Sequence, residues 1–377
     1  MRAVAAIGVV LLLAGCGGGA PSGRPDLQRT LDGLVSGPHR LAPGVTAFVS
    51  GPHGTWSGSA GWANVTRQIR MTPDARLRLE SVSKLWTATV LAELAVENKL
   101  GLDDTVERWL PGLFPYGSLI TIRELLNHTS GMVDSNDFDQ QPQFWLAKIH
   151  DSALRAALLA TAAEIERDHA HIFPTMLLIR AAAAIPLLFD PATSYHYSNI
   201  GYETAGVIAE RAGHTRLANL YDRIIIRPLG LLSAAYAPHG PIPGQHPVGY
   251  AVTRGGTAVA ATRWGAGGLA AEGAIVVNAH DEARFLVALV RGKVVPLTML
   301  TQIMAGSGPV PSYGLGTVVE RTCGGKTLSH NGGGMAWTSS VAVSVDGSRV
   351  AVLLLNGRRS DGKGDPRAAL LKLFCAA

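Results

Sequence analysis

The chain has 377 residues, of which 47% are hydrophobic and 16% charged, enough for a buried core in one large domain or two interleaved ones. Its net charge of +5 is mildly basic, but lysine and arginine are scattered without a basic run, so we expect no nucleic-acid partner. Neither G-x-x-x-x-G-K-[ST] nor a helix-opening G-x-G-x-x-G occurs, so the sequence gives no indication of a nucleotide cofactor, and we expect no cofactor of any kind.

The N-terminus has the pattern of an export signal. Arg2 supplies a positive start, and the apolar run Ala3–Ala14 is too short to span a bilayer as a helix. The run ends in Leu-Ala-Gly-Cys, which resembles the lipobox of bacterial lipoproteins and implies a lipid on Cys16. An ordinary signal peptide with an incidental cysteine is the alternative. We expect a signal peptide over residues 1–15 and a protein of the cell envelope, lipid-anchored to the outer face of the cytoplasmic membrane.

After the cysteine, glycine, proline and serine residues predict a flexible tether over residues 16–30, and a single folded unit follows over residues 31–377. Short β-like segments between Gly44 and Gly61 predict strands. From about 79 to 285 the sequence is mostly helical. Within it, Ser81–Lys99 is predicted to be one helix, and because it is apolar on nearly every face we expect it to be buried.

Strands return in the last part of the chain. Alternating or β-branched segments lie between Tyr313 and Leu355, and the last two flank Asp346-Gly347, a strong hairpin signal. A closing helix is predicted to begin at Asp365-Pro366, a cap followed by proline at the first helical position. We expect an α+β fold in which the first and last segments share one antiparallel sheet with flanking helices, and an all-helical region is inserted between them.

The remaining cysteines form a pair. Once Cys16 is set aside, only Cys323 and Cys375 are left. An even number of cysteines in an exported chain predicts a disulfide. Two buried free thiols are the alternative.

A serine and a lysine stand three residues apart at the start of the long helix. A serine nucleophile needs a base within hydrogen-bond reach, and positions i and i+3 share a helix face, which brings Lys84 near Ser81. Burial would lower the lysine pKa and make a neutral amine accessible, and a first-turn serine has free N–H groups beside it. A helix-capping serine with a surface lysine is the alternative. A second match, Ser360 with Lys363, lies in a glycine-rich loop where no helix aligns the pair, so Ser81 is the predicted nucleophile.

Two further motifs follow in chain order. Tyr197 and Asn199 form the only Tyr-x-Asn; a tyrosine near a lysine can transfer protons, and an asparagine can bind a substrate amide. A core tyrosine beside a loop cap is the alternative. His330 opens the only His-x-Gly, followed by Gly332 and Gly333, between predicted strands where glycines let a substrate backbone approach the sheet edge. A loop histidine beside turn glycines is the alternative.

The order Ser-x-x-Lys, Tyr-x-Asn, His-x-Gly resembles the serine β-lactamase and penicillin-binding protein superfamily. Within it the chain is most similar to class C β-lactamases and to the secreted actinomycete D-alanyl-D-alanine carboxypeptidases, over about Gly44 to Cys375. Further markers of the resemblance occur in order: Leu102-Asp103-Asp104, Asn127-His128-Thr129-Ser130-Gly131, Ile242-Pro243-Gly244, Trp264, Gly273-Ala274 and Tyr313-Gly314-Leu315-Gly316.

The resemblance implies a role for each motif residue. Ser81 would be the acylated nucleophile, and Lys84 and Tyr197 the pair that transfers protons. Asn199 would contact the substrate amide.

The same resemblance implies a substrate-binding strand. His330 would replace the lysine of the more usual Lys-Thr-Gly, with Gly332 next to it in the motif. The backbone N–H groups of Ser81 and Gly333 would form the oxyanion hole. Trp264 would line the acyl pocket, with a core tryptophan as the alternative.

Three features depart from the family pattern. Asn331 and Gly333 stand where the carboxypeptidases have threonines that contact the substrate carboxylate. The segment 317–321 keeps a single arginine, Arg321, where those enzymes are arginine-rich. Glu80 precedes the nucleophile where a small residue is common. These departures weaken the case for a substrate that ends in a free carboxylate.

Other kinds of site have weaker support. Gly-x-Ser-x-Gly, the nucleophile elbow of α/β-hydrolases, does not occur. His169 and His171 could form a metal pair, but no His-Glu-x-x-His accompanies them, so a surface location is preferred and no metal site is expected. Asp103 and Asp104 are expected to cap or pair at a helix end.

The predicted function is acyl transfer to Ser81 followed by hydrolysis of a small peptide, amide or ester in the cell envelope. A carboxypeptidase-like peptidase acting on a peptidoglycan stem peptide is favoured, and an esterase, an amidase or a β-lactamase of the same family is the alternative. From another class, the alternative is a catalytically silent envelope-binding lipoprotein that keeps the scaffold.

Overall fold

The computed structural model describes residues 23–37, 40–169, 171–238, 242–263, 270–359, 361 and 365–377. Its helices are α1 Pro25–Val35, α2 Ser83–Val96, α3 Val106–Trp109, α4 Ile122–Leu126, α5 Ser135–Gln140, α6 Pro142–Lys148, α7 Ser152–Arg167, α8 Thr175–Ala183, α9 Asn199–Gly213, α10 Leu217–Tyr221, α11 Arg227–Leu229, α12 Ala279–Val290, α13 Leu297–Ile303 and α14 Pro366–Ala376. A 3₁₀ turn, Glu80–Val82, precedes α2, and a π-helical turn, Asp222–Ile226, follows α10.

The strands are β1 Gly44–Gly51, β2 Gly54–Asn64, β3 Ile69–Arg70, β4 Leu77–Arg78, β5 Ala235–Tyr236, β6 Tyr250–Val252, β7 Ala258–Ala260, β8 Ile275–Val277, β9 Val318–Thr322, β10 Gly325–Gly333, β11 Thr338–Ser344, β12 Val350–Leu355 and β13 Gly357–Arg359. In the described part of the chain, seven of them form an antiparallel sheet in the order β3-β2-β1-β12-β11-β10-β9. Val45 in β1 lies opposite Leu355 in β12. The predicted α+β class, with one sheet built from the first and last segments, is confirmed.

Both faces of this sheet are covered. Leu353 and Leu355 of β12 belong to a core cluster with residues of α1 and α14. Val352 and Leu354 belong to the larger cluster that includes α2 and α12. Successive side chains of a strand point to opposite faces. Because neither face of β12 meets solvent, this strand is apolar throughout, as buried strands are.

The region between β3 and β9 is helical except for short strands. Strands β4, β8 and β5 form one small sheet, and β13, β6 and β7 form another in which β13 is parallel to β6. The strands inside the region span only two or three residues and leave no readable period in the sequence, so a region expected to be all-helical is mixed. The β4–β8 pairing holds the chain just before the 3₁₀ turn, where Leu79 N–H donates to the Ile275 carbonyl at 2.8 Å.

The predicted tether needs a correction. Residues 25–30 belong to α1, which begins with Pro25 at its first turn and buries Leu27 and Leu31 against the sheet and α14. Proline is favoured at the first helical position because its missing N–H would have no partner there. Pro25 therefore marks the start of a helix and is not part of a flexible tether. Residues 1–22, with the predicted signal and Cys16, lie outside the described residues.

The closing helix and the cysteine pair agree with the sequence. Asp365 caps α14 by accepting from Arg367 N–H at 2.8 Å. Cys323, in the turn between β9 and β10, is disulfide-bonded to Cys375 in α14, with their Cα atoms 5.6 Å apart. Within the described ranges, every helix falls short of the length and apolar character that a membrane crossing requires.

Candidate active site

Ser81 lies in the 3₁₀ turn, and α2 begins two residues later at Ser83. The predicted single helix is therefore entered through a tighter turn. Lys84 is fully buried in the first turn of α2, and its Nζ donates to Ser81 Oγ at 3.1 Å. Serine and lysine thus meet as the spacing predicted.

Three other oxygens surround the lysine ammonium. Lys84 Nζ donates to Asn199 Oδ1 at 2.7 Å and to Glu272 Oε2 at 2.8 Å, and the Glu272 carbonyl lies 3.3 Å away. The lysine and glutamate side chains are 0% and 6% exposed. They form a buried ion pair at the centre of the site.

This ion pair reverses the expected protonation of the lysine. Burial by itself lowers the pKa of Lys84, but the carboxylate of Glu272 and the phenol of Tyr197 outweigh it, and the pKa lies above its ordinary value. The expectation of a lowered lysine pKa is wrong, because an anion that the sequence did not reveal stands beside it. Lys84 is an ammonium in the resting site.

Tyr197 stands beside the serine and the lysine, just before α9. Its hydroxyl interacts with Ser81 and Lys84, and Lys84 Nζ lies 4.9 Å from the ring centroid. Burial raises the pKa of Tyr197 more than its interactions with Lys84 and Ser81 lower it. The ring packs on His128 with centroids 4.2 Å apart. The tyrosine is held as a neutral phenol against the nucleophile.

Asp134 orients Asn199 through two hydrogen bonds, one to its backbone and one to its side chain. Its backbone N–H donates to Asp134 Oδ1 at 2.8 Å, and its Nδ2 donates to Asp134 Oδ2 at 3.5 Å. The amide oxygen is therefore turned toward Lys84. Asp134 is buried, which raises its carboxyl pKa.

His330 lies on β10 in a buried chain of hydrogen bonds. The backbone N–H of Ser198 donates to His128 Nδ1 at 3.1 Å, so His128 Nε2 is the nitrogen that donates to Tyr313 Oη, at 3.2 Å. Tyr313 Oη in turn donates to His330 Nε2 at 3.0 Å, and His330 Nδ1 donates to the Asn331 carbonyl at 2.7 Å. Burial first, then Lys84, lowers the pKa of His330 to about 4. A neutral His330 with both nitrogens engaged does not supply the positive charge of the lysine that it was expected to replace.

The glycines after His330 let β10 approach the nucleophile. β9 pairs with β10 only as far as Ser329, which leaves the edge of residues 330–333 beside the 3₁₀ turn. A Cβ on Gly332 would lie 2.1 Å from the Leu79 carbonyl, and one on Gly333 would lie 2.8 Å from Arg358 Nη1. Only glycine fits at Gly332. The oxyanion hole formed by the N–H groups of Ser81 and Gly333 stays a prediction.

The family model described as Beta-lactamase matches residues 28–374. The chain belongs to the beta-lactamase family. It has the fold of the serine hydrolases of the β-lactamase and penicillin-binding protein type, and the predicted superfamily is confirmed.

Curated relatives match this beta-lactamase-family chain over part of their length. Penicillin-binding protein 4* of Bacillus subtilis is 32% identical over 173 residues, which is 46% of this chain and 33% of the relative. A D-aminopeptidase of Cereibacter sphaeroides is 27% identical over 231 residues, or 59% and 38% of the two chains. The chain thus matches a third to two fifths of the length of these relatives.

Solved structures resemble it over nearly the whole chain. A D-stereospecific amidohydrolase from Streptomyces sp. has a TM-score of 0.77 and 26% identity, covering 94% of this chain and 100% of that one. The D-amino acid amidase from Ochrobactrum anthropi SV3, complexed with L-phenylalanine amide, has a TM-score of 0.73 and 22% identity, with 93% and 96% covered. At 22% identity, the similarity to the amidase shows only that the two chains share a fold.

The sequence missed several polar residues of this beta-lactamase-family site. Glu272 and Asp134 come from loops far from Lys84 in the chain, and no spacing motif connects them to it. The only available signal for Glu272 was a single charge in an Ala- and Gly-rich stretch. Tyr313 and His128 stood in quoted markers, but nothing in the sequence paired them with His330.

Some predicted residues have no described position, and others lie at a helix end. Trp264, Ser360 and Lys363 fall outside the described residues. Asp103 pairs with Arg123, and Asp104 accepts from the Gly101 N–H and from Arg108, as expected for residues at a helix end.

His169 and His171, for which a surface location is preferred, are both exposed. His171 Nδ1 lies 3.5 Å from Asp168 Oδ2, and both side chains are more than half exposed. Across the described ranges, the structure has no cluster of three His, Cys, Asp or Glu residues able to hold a metal ion.

Proposed function

We propose that this chain is a serine amidohydrolase that takes the acyl group of a D-amino acid residue onto Ser81 and then transfers it to water. The observation that carries the proposal is the buried contact of Ser81 Oγ with Lys84 Nζ at 3.1 Å, with Tyr197 beside both. An isolated serine hydroxyl is a weak nucleophile, and this arrangement gives it groups that can move its proton.

The reaction divides into two transfers. Ser81 Oγ attacks the substrate carbonyl while its proton passes to the Lys84–Tyr197 pair, and the N–H groups of Ser81 and Gly333 bind the developing oxyanion. The leaving amine takes the proton from the same pair, and water repeats the sequence to release the acid. Asn199, held between Lys84 and Asp134, is placed to orient the substrate amide.

The substrate class rests on what the relatives share. One curated relative is a D-aminopeptidase, and one similar structure is a D-stereospecific amidohydrolase. In an N-terminal D-residue, in a D-amino acid amide and in a D-Ala-D-Ala peptide alike, the carbonyl that is attacked belongs to a D-residue. We therefore choose D-acyl amides and peptides over esters.

The test uses covalent labelling and turnover of the full chain. Wild type should form a mass adduct with a fluorophosphonate or penicillin at Ser81 and hydrolyse D-phenylalanine amide faster than the L-amide. Ser81→Ala should lose both activities, while Ser360→Ala, in the other Ser-x-x-Lys match, should behave as wild type. Wild-type turnover in folded Ser81→Ala would overturn the proposal, and a wild type without label or turnover would support the silent envelope-binding alternative.

A second candidate function is that of a D-Ala-D-Ala carboxypeptidase. It is favoured by an arginine near the nucleophile that could bind the terminal carboxylate of the substrate. The guanidinium of Arg358 lies against Gly333, and its Nη1 is 3.5 Å from the Gly334 carbonyl. A charged hydrogen bond to a substrate carboxylate stabilises by about 1.5–3 kcal/mol. In this candidate Arg358→Ala lowers kcat/KM for a peptide ending in free D-Ala about tenfold or more and spares its amide. Arg321→Ala, on the outer strand β9, is the control, and equal losses on acid and amide would exclude the role.

We also propose that the protein is attached to the cell envelope through a lipid on Cys16. The support is the export pattern of residues 1–15 and the Leu-Ala-Gly-Cys sequence. Peptidoglycan stem peptides would then be within reach of the enzyme.

A further inference from the structure

In the resting site, both groups that could accept the proton of Ser81 are already protonated. Lys84 is an ammonium whose N–H groups already point at Ser81, Asn199 and Glu272. Tyr197 keeps its proton as well. Neither member of the pair can accept the Ser81 proton until one of them has lost its own.

Glu272 is placed to remove that proton. Its Oε2 lies 2.8 Å from Lys84 Nζ, and its own carbonyl lies 3.3 Å from the same atom. Its backbone is fixed by Glu203, whose Oε1 accepts the N–H groups of Ala271 at 3.0 Å and Glu272 at 3.3 Å. Because desolvation disfavours both charges, burial narrows the energy gap between the ion pair and the neutral acid–amine pair.

We propose that Glu272 accepts a proton from Lys84, which makes the lysine a neutral amine able to take the proton of Ser81. The inference rests on the proposed acyl transfer at Ser81 and adds a residue to it. Glu272 acts through Lys84 and touches no substrate atom, so it is a positioning residue that sets the protonation state of the lysine.

The step balances without any further reactant. One Nζ–H bond of Lys84 breaks and an Oε2–H bond of Glu272 forms. The Oγ–H bond of Ser81 then breaks as a new Nζ–H bond and the Oγ–C bond to the acyl group form, and the carbonyl π electrons move to its oxygen. When the tetrahedral intermediate collapses, Lys84 gives a proton to the leaving amine and recovers one from Glu272, which returns to its carboxylate.

Other titratable groups face the pair and would respond to the same pH change. From the elements packed around it they are Glu80, His128, Asp134, Tyr195, Tyr197, Tyr202, Glu203 and His330. None of these groups has a carboxylate oxygen within ion-pairing distance of Lys84 Nζ; in the described part of the chain, Glu272 alone does.

The experiment compares Glu272→Gln with wild type by the pH dependence of Ser81 acylation. Gln keeps the side-chain shape but cannot accept the proton, so Lys84 of the variant can give up its proton only to solvent. Near neutral pH we expect acylation of Glu272→Gln to be slower by about 10²–10⁴-fold. The rate should then climb as the pH rises and solvent takes the lysine proton, whereas wild type should be nearly flat over the same range.

The controls separate this role from a structural one. Glu282→Gln removes another buried carboxyl, in α12, which accepts a hydrogen bond from Trp86 of α2, and should leave the profile unchanged. Glu272→Asp keeps a carboxylate and should retain the wild-type pH dependence at a reduced rate, even if Glu272→Gln folds poorly. An equal loss at every pH in Glu272→Gln, or a wild-type profile, would overturn the inference while Ser81 labelling still upholds acyl transfer. An unlabelled wild type would instead defeat the proposed function itself.

Discussion

Glu80 is held in an unusual conformation immediately before the nucleophile. Its φ is 51°, in the left-handed region that side chains rarely adopt. Its carboxyl packs against Gly334, the residue after β10, where a Cβ would lie 2.5 Å from Glu80 Cδ. Burial raises the pKa of Glu80 to about 8, and Arg78 opposes this only in part. Glycine would relieve the backbone strain, because it has no Cβ, and would remove the buried carboxyl.

Glu80→Gly should therefore stabilise the fold. The left-handed conformation costs a residue with a Cβ about 1–2 kcal/mol, and glycine adopts it freely, so we expect the free energy of unfolding to rise by about 1 kcal/mol after the flexibility of glycine in the unfolded chain is counted. Urea denaturation measures it. An equal or lower stability of Glu80→Gly would contradict the strain argument.

The buried carboxyl of Glu80 should also make the stability of the fold depend on pH. A carboxyl whose pKa is raised from 4.5 to about 8 contributes stability that is fully present below pH 4.5 and is lost as the pH rises through about 8. Glu80→Gln keeps the backbone strain but cannot ionise, so its stability relative to wild type should grow as the pH rises. Parallel pH profiles of the two proteins would show that Glu80 does not titrate in this way.

Among individual residues, those connected by a short motif could be predicted from the sequence. Ser81 and Lys84 are three residues apart on one helical stretch, so local geometry predicts their contact. Glu272 reaches Lys84 only through the tertiary fold, and no local rule specifies such a contact. For that reason the lysine was placed in the site while its charge state was wrongly predicted.

Helices and strands could be predicted from the sequence where they are long or are bounded by a clear turn or cap sequence. The pairing of β11 with β12 was visible because long apolar segments flank Asp346-Gly347, a turn sequence with a defined geometry. The short strands β4 and β8 could not show a period, although they hold the nucleophile turn. Proline is common both in flexible tethers and at the first turn of a helix, so composition alone does not distinguish α1 from a tether.

The disulfide ties two of these elements together, the β9–β10 turn and α14. It closes a loop with a sequence separation of 52 residues, for which the chain-entropy model gives about 4 kcal/mol. Cys375→Ser should lower the free energy of unfolding by about that amount in non-reducing urea denaturation. Wild type with reductant is the matched comparison and should lose a similar amount. A loss below about 1 kcal/mol would mean that the bridge constrains little beyond the packing of α14.

For the whole molecule, the proposed lipid on Cys16 would determine where the protein is located. Stable attachment needs two or more acyl chains, since a single chain binds a membrane only marginally. Wild type should partition into the detergent phase, and Cys16→Ala should move to the aqueous phase or stay as an uncleaved precursor by mass. Ser22→Ala, in the adjoining segment, is the control. Detergent-phase partitioning of Cys16→Ala equal to that of wild type would refute the lipid.

The sheet also has a consequence for how the chain must be made. β1 lies inside the sheet and pairs with β12. Val45 is therefore synthesised long before its partner in the sheet, Leu355. Until then one edge of the β1–β2 hairpin is open, and an open apolar edge can pair with another unfinished chain. Folding dominated by such distant contacts is slow. Biogenesis of this protein therefore depends on keeping the early strands apart from other chains until the last strand of the sheet core has emerged.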